Sequence, residues 1–265
     1  GSCRTYLASK SALTGYLGGE NVGGFFASEL RRTGFEHLVI TGKASKPSFL
    51  LVRDGTIGIR DASFVWGQTA RDTQEMLRKE LYDDDIQAIC IGPAGENQVR
   101  FAAVMTGHQG SSGSAGIGAV FGSKNLKGIV ARGTEAIPIA HPGESLEYDR
   151  MMVRNIVSSE FGQRMRSLGV SLSGGTGEDV FADQTIGRDG CHGCQLQCGR
   201  RCVIKQGPYA GTFTHGPGYC GQQAWEAVLG ERQADAILVA NYLVNSYGLD
   251  SLETAGLIGW AVRLY

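Results

Sequence analysis

The chain has 265 residues, of which 42% are apolar and 19% charged, and its formal net charge is −1. That balance belongs to a globular protein; it excludes wholesale disorder and gives no reason to expect nucleic acid or an anionic membrane as partner. No run of eighteen apolar residues is present and Gly1–Lys10 has no apolar signal core, so a fragment placed in the cytoplasm is the expectation.

Gly24–Thr33 has helical spacing at Phe25, Phe26 and Leu30, with Gly34 as its stop. His37–Gly42 (HLVITG) reads as a strand on its β-branched content. Ser48–Ser63 holds two alternating runs about Arg53-Asp54-Gly55, a hairpin turned by Asp-Gly. Gln68–Tyr82 is an amphipathic helix carrying Met76, Leu77 and Leu81, and Ile86–Gly92 and Phe101–Gly107 read as strands. A glycine-serine loop follows Gly107, then a short helix over Ala119–Leu126 and a strand over Lys127–Ala131. Pro138 and Pro142 mark a boundary, beyond which residues 145–169, 232–247 and 251–265 have helical period. The expected fold class is α+β, with a β-rich domain over 1–140 and the start of a mainly helical domain over 141–265.

Residues 191–202 read CHGCQLQCGRRC and hold four of the seven cysteines. An odd cysteine count without a secretory signal speaks for metal binding over a disulfide framework. Zinc is one competitor, since cysteine pairs close its tetrahedron. The spacing fits an iron–sulfur cluster better: one tight loop can place Cys191, Cys194 and Cys198 on three corners of a cubane, leaving the fourth to a distant residue. Cys202 is read as a buried thiol. Arg200 and Arg201 place positive charge beside the loop, where it would stabilise a reduced, more anionic core; a solvated turn is the plainer alternative.

These residues resemble the aldehyde:ferredoxin oxidoreductase family of tungsten-pterin enzymes. The resemblance runs through CRTYLASKSALTGYLGGENVGGFFASEL, IGPAGENQVRFAAVM, SAGIGAVFGSKNLKGI, CHGCQLQCGR and YGLDSLETAG, in order and over nearly the whole chain. It implies tungsten, or molybdenum, held by two molybdopterin dithiolenes, with a [4Fe–4S] cluster beside one pterin. The first domain is then a partial pterin-binding domain, and Cys191, Cys194 and Cys198 are three cluster ligands, the fourth lying outside this sequence. Pterin contacts carry over to Arg4, Asn21 and Gly23; to Ser114, Ala115, Gly116 and Gly118 of the second phosphate loop, with Ser114 where an arginine is usual; and to Asn245 (usually an aspartate), Leu249 and Asp250. Val239 stands in place of a glutamate that holds a dimer-bridging metal in some members, so no such metal is expected here, although an oligomer remains compatible.

One departure bears on the reaction. Aldehyde-oxidising members carry a catalytic glutamate after a Gly-Pro-Glu-Tyr stretch; here Gly216-Pro217-Gly218-Tyr219 leads to Cys220. A thiolate at that place resembles the benzoyl-CoA reductase branch, in which cysteine ligates tungsten. Cys220 and His215 are therefore the candidate catalytic residues, the histidine as proton donor. The expected partners are ferredoxin or an iron–sulfur electron-transfer subunit, and an aldehyde or aromatic acyl-CoA substrate. An iron–sulfur electron-transfer subunit without pterin, and a zinc-stabilised binding module, are the alternatives.

Overall fold

A computed structural model describes residues 3–107, 110–170, 179–229 and 233–265. The chain divides into two compact units. One comprises Cys3–Ile137 with Val244–Asp250, the other Pro138–Leu243 with Ser251–Tyr265. The fold is mixed α and β, and it carries a mixed sheet.

The first unit opens with a separate antiparallel hairpin, β1 (Thr5–Lys10) and β2 (Leu17–Val22). Helix α1 (Phe26–Arg32) follows, capped by Thr33 and released by Gly34 at φ +89°. Next comes the Asp-Gly hairpin, β3 (Ser48–Arg53) and β4 (Thr56–Asp61). Its turn residues Asp54 and Gly55 have φ of 38° and 76°, the left-handed pair that a two-residue turn between twisted strands demands. Helix α2 (Ala70–Leu81) starts where the Thr69 side chain accepts the Asp72 amide and ends at left-handed Tyr82. Then come β5 (Gln87–Cys90), α3 (Pro93–Glu96), β6 (Met105–Thr106), β7 (Gly110–Ser111), α4 (Ile117–Ser123) and β8 (Leu126–Arg132).

The six strands of the main sheet lie in the order β4-β3-β8-β5-β6-β7, with β3 and β8 parallel and the other pairs antiparallel. Both faces are covered. Phe26, Leu30, Ile117 and Phe121 pack on one side with Ile89 and Ile129, while Leu77, Val65 and Phe49 pack with Ala88 and Val130. Each such apolar side chain contributes about 1.5–3 kcal/mol when fully buried. The two-sided cover explains why β8 reads as an almost continuous apolar run. Its exception, Lys127, is fully buried; its Nζ pairs with Glu96 and donates to the Gln68 carbonyl at 2.9 Å.

The second unit contains α5 (Pro142–Ser158), α6 (Glu160–Leu168), β9 (Thr185–Asp189), β10 (Gly199–Val203), β11 (Phe213–His215) and α7 (Tyr219–Leu229). Helix α8 (Ala234–Tyr247), whose last turn belongs to the first unit, and α9 (Ser251–Leu264) complete it. The three strands form an antiparallel sheet in the order β11-β10-β9. Trp225 is buried and donates its Nε1 to Ser251 Oγ at 2.8 Å, tying α7 to α9.

Several expectations change. His37–Gly42 forms no strand: nothing pairs with it, and Val39 is 90% exposed. β-branched content favours a pleated surface only where a partner exists. Of Phe101–Gly107 only Met105–Thr106 is ladder. Residues 145–169 hold two helices, because Ser159 breaks the first at ψ 148° and caps the second through the Gly162 amide. The second part is mainly helical, as its period indicates, and it also carries the β9–β11 sheet around the cysteine stretch.

Candidate functional site

In the first unit, the glycine-serine loop is fixed by backbone lying against backbone. Gly118 donates its amide to the Ala102 carbonyl at 2.9 Å, and a Cβ there would stand 2.7 Å from that group. Gly116 has φ +77°, and a Cβ on it would meet the Arg100 carbonyl oxygen at 2.0 Å. Ser11 Oγ donates to the Ala115 carbonyl at 2.7 Å, and Ser114 is half-buried beside it in sequence. The same 100–103 segment receives the end of the unit. Ala103 donates to the Gly248 carbonyl at 2.9 Å, Asp250 to the Phe101 carbonyl at 3.2 Å, and Leu249 bridges Ala102. Asn245 accepts the Gly248 amide in the turn that makes this possible. Ser114–Gly118 and Asn245–Asp250, far apart in sequence, are thus brought to one segment.

The hairpin supplies the remaining first-unit candidates. Thr5 pairs with Val22 and Tyr6 with Asn21, so Arg4, Asn21 and Gly23 gather at its open end. Arg4 and Asn21 are exposed. Arg4 lines a cavity of about 580 Å³ with largely apolar walls, Phe26, Leu30, Ile117 and Phe121 among them.

Glu20 was not singled out from sequence. It is 4% exposed, and neither carboxylate oxygen makes a well-formed hydrogen bond. Burial raises its pKa above the usual carboxylate value; the Ser112 hydroxyl and the amides of Ile117, Ala115 and Gly116 offset this only in part. An internal carboxylate therefore faces the same loop amides that the sequence assigns to a phosphate. The signal was present in the alternation of β2, which buries Gly18, Glu20 and Val22.

In the second unit the cysteine loop joins β9 to β10. Cys191, Cys194 and Cys198 are half-buried, and none of them forms a disulfide. The Cys194 amide donates to the Cys191 carbonyl at 3.0 Å, and the Cys198 carbonyl accepts from Val170 at 2.9 Å. Among the described residues, no three His, Cys, Asp or Glu side chains converge as ligands of a single ion would. Cys202 lies on β10, fully buried, with its Sγ 3.9 Å from Thr185 Oγ1, and burial pushes its thiol pKa up. The two arginines differ. Arg201 is exposed, but Arg200 is no solvated turn: it is 2% exposed, paired with Asp179 and bonded to the Leu168 carbonyl.

His215 is on β11 and buried. Its Nε2 lies 3.0 Å from Asp189 Oδ2, its carbonyl accepts from Asn241 Nδ2 at 2.8 Å, and its ring stands edge-on to Phe213. It is not the surface histidine that its polar neighbourhood in sequence would allow. Asp189, two residues before Cys191, escaped sequence reading because only the β9-β10-β11 order brings it to His215. Cys220 is exposed in the first turn of α7.

Comparison with known proteins adds the following. A family profile described as aldehyde ferredoxin oxidoreductase, N-terminal domain, matches residues 1–133, and one described as domains 2 and 3 of the same family matches 152–265. A tungsten-containing aldehyde ferredoxin oxidoreductase of Pyrococcus horikoshii is 34% identical over 99% of the chain and 47% of its own length. An aliphatic sulfonate oxidoreductase, WOR-like subunit, of Pyrococcus furiosus is 27% identical over 99% and 48%. The active-site complex BamBC of benzoyl coenzyme A reductase, solved with 1,5-dienoyl-CoA, matches with a TM-score of 0.82 at 25% identity, over 99% of this chain and 45% of that one. The chain thus spans about half the length of the relatives it matches. With both profiles satisfied in order from end to end, the chain belongs to the aldehyde ferredoxin oxidoreductase family.

Proposed function

We propose that this chain forms the pterin-loop and cysteine-loop portion of a tungsten- or molybdenum-pterin oxidoreductase that exchanges electrons with ferredoxin, or with an iron–sulfur subunit, through a [4Fe–4S] cluster. The observation that carries the reading is the cysteine loop: three half-buried cysteines outside any disulfide, on one bend between paired strands, within the part of the chain that matches domains 2 and 3 of the family. A cubane seats each thiolate on its own iron, and the C-x2-C-x3-C spacing on one loop between paired strands suits that arrangement.

The residues suit the pterin as well. Ala115, Gly116 and Gly118 form a loop whose amides already face an anionic group, Glu20, and whose glycines leave backbone where a ligand must approach closely. Arg4 would supply a cation to a pterin phosphate, with Asn21 and Gly23 beside it and Ser114, Asn245, Leu249 and Asp250 completing the contacts. When bound, the metal–dithiolene group supplies the two-electron chemistry, and the protein supplies placement and electrostatics. His215, held by Asp189, is the proton-handling residue of this reading, and Cys220 offers a soft thiol to the metal.

Reduction of an aromatic acyl-CoA is the substrate reading that Cys220 supports, and the likeness to BamBC agrees with it. The higher identity to tungsten-containing aldehyde enzymes favours aldehyde oxidation as the second reading. Metal analysis and visible absorption of the full-length protein test the assignment. Iron with tungsten or molybdenum is expected; iron alone would leave an electron-transfer subunit, and zinc alone a structural module. Turnover with benzoyl-CoA against aldehydes separates the two substrates.

A further inference from the structure

The strands that carry the cysteine loop set two guanidinium groups opposite each other, for Arg188 of β9 pairs with Arg200 of β10. Like charges directly across an antiparallel pair repel unless each is neutralised. Arg200 is neutralised by Asp179 and the Leu168 carbonyl. Arg188 is not: Nη2 donates to the Ser167 carbonyl, Nη1 is buried with no hydrogen-bond partner, and no described carboxylate pairs with it. A desolvated donor without an acceptor costs on the order of 1–3 kcal/mol and calls for an explanation.

Its position supplies one. Arg188 Nη1, the Cys198 carbonyl oxygen and Arg200 Nε all lie within 3.1 Å of the point where a Cβ on Gly169 would stand. The unmatched cation is therefore beside the last cysteine of the loop.

We infer that Arg188 tunes the reduction potential of the cluster held by Cys191, Cys194 and Cys198, by directing its buried Nη1 donor and its positive charge at the Cys198 side. The inference rests on the cluster reading above. One electron entering the cluster makes it one unit more negative while Arg188 keeps its charge, so the reduced state gains more from the arginine than the oxidised state does. Sequence alone pointed to Arg200 and Arg201; the pairing pattern transfers the role to Arg188.

The test is an EPR-monitored redox titration, with iron analysis, of the full-length protein as wild type, Arg188→Gln, Arg188→Lys and Arg201→Gln. Arg188→Gln is expected to keep its iron and shift the cluster midpoint to a more negative potential. Arg188→Lys, which retains charge but loses the planar fork, should shift it less in the same direction. Arg201→Gln should leave it unchanged, because that exposed charge is screened by solvent. Should the Gln variant lose iron, the Lys variant decides: a more negative midpoint supports the inference and an unchanged one overturns it. Unchanged midpoints in iron-replete Arg188 variants overturn it while leaving the cluster reading intact. Wild-type protein without iron would instead remove the cluster itself.

Discussion

The two candidate loops are built on opposite principles. Residues 112–118 are set by backbone packing: Gly116 and Gly118 press on carbonyls of the 100–102 segment so closely that no side chain fits. The 190–198 loop is set at its ends, by the β9–β10 ladder and the Cys198–Val170 hydrogen bond, and is loosely filled between. A Cβ on Gly193 would meet nothing within 4 Å, and His192, Gly193, Gln195 and Gln197 are exposed. A phosphate cradle works through amides, which must be in place beforehand; a cluster loop works through thiols and can be organised by what it binds. The first should therefore be intolerant of change even without ligand, the second tolerant until its metal is counted.

The largest test of this contrast compares two glycines of similar φ. Gly116 at +77° and Gly193 at +68° both carry a left-handed backbone that costs a side chain about 1–2 kcal/mol. Gly116→Ala adds a collision with the Arg100 carbonyl and should cost roughly 3–5 kcal/mol. Gly193→Ala should cost only the backbone strain. Urea unfolding midpoints of the two variants measure the gap, and equal losses would dissolve the contrast.

A smaller effect on the fold, with a large one on content, is expected at the thiols. Cys194→Ser removes no disulfide and no fully buried side chain, so thermal stability of the metal-free chain should move by no more than about 1 kcal/mol. Iron bound by the full-length protein should nevertheless fall sharply. Loss of stability without loss of iron would make the cysteine structural.

How much of this was legible depended on range. The Asp54-Gly55 turn and the amphipathic helix over residues 68–82 are local, and each appears where the residues place it. His37–Gly42 failed because strand propensity does not say whether a partner exists. Asp189 with His215, and Arg188 against Arg200, depended on strand order and register, which no short window encodes. The solvated-turn alternative for Arg200 stayed open because its partners Asp179 and Leu168 lie 21 and 32 residues away. Glu20 was half legible: its buried register shows in β2, but the amides it faces lie near residue 116.

Glu20 also gives the smallest and most discriminating prediction. Burial raises its pKa in the folded chain above the ordinary 4.5, so folding favours its protonated form. As pH rises from below 4.5, the unfolded chain ionises first and stability falls, until the folded-state pKa is passed and the whole cost is present. Glu20→Gln keeps the shape without the charge. It should raise the melting temperature at pH 7, and that gain should shrink as the pH is lowered towards 4.5. If the loop amides instead hold the carboxylate favourably enough to outweigh its burial, the glutamine variant will melt lower at pH 7. The loop would then depend on an internal anion for its shape, which would turn the contrast with the cysteine loop from one of preformed against ligand-organised into one of self-filled against unfilled.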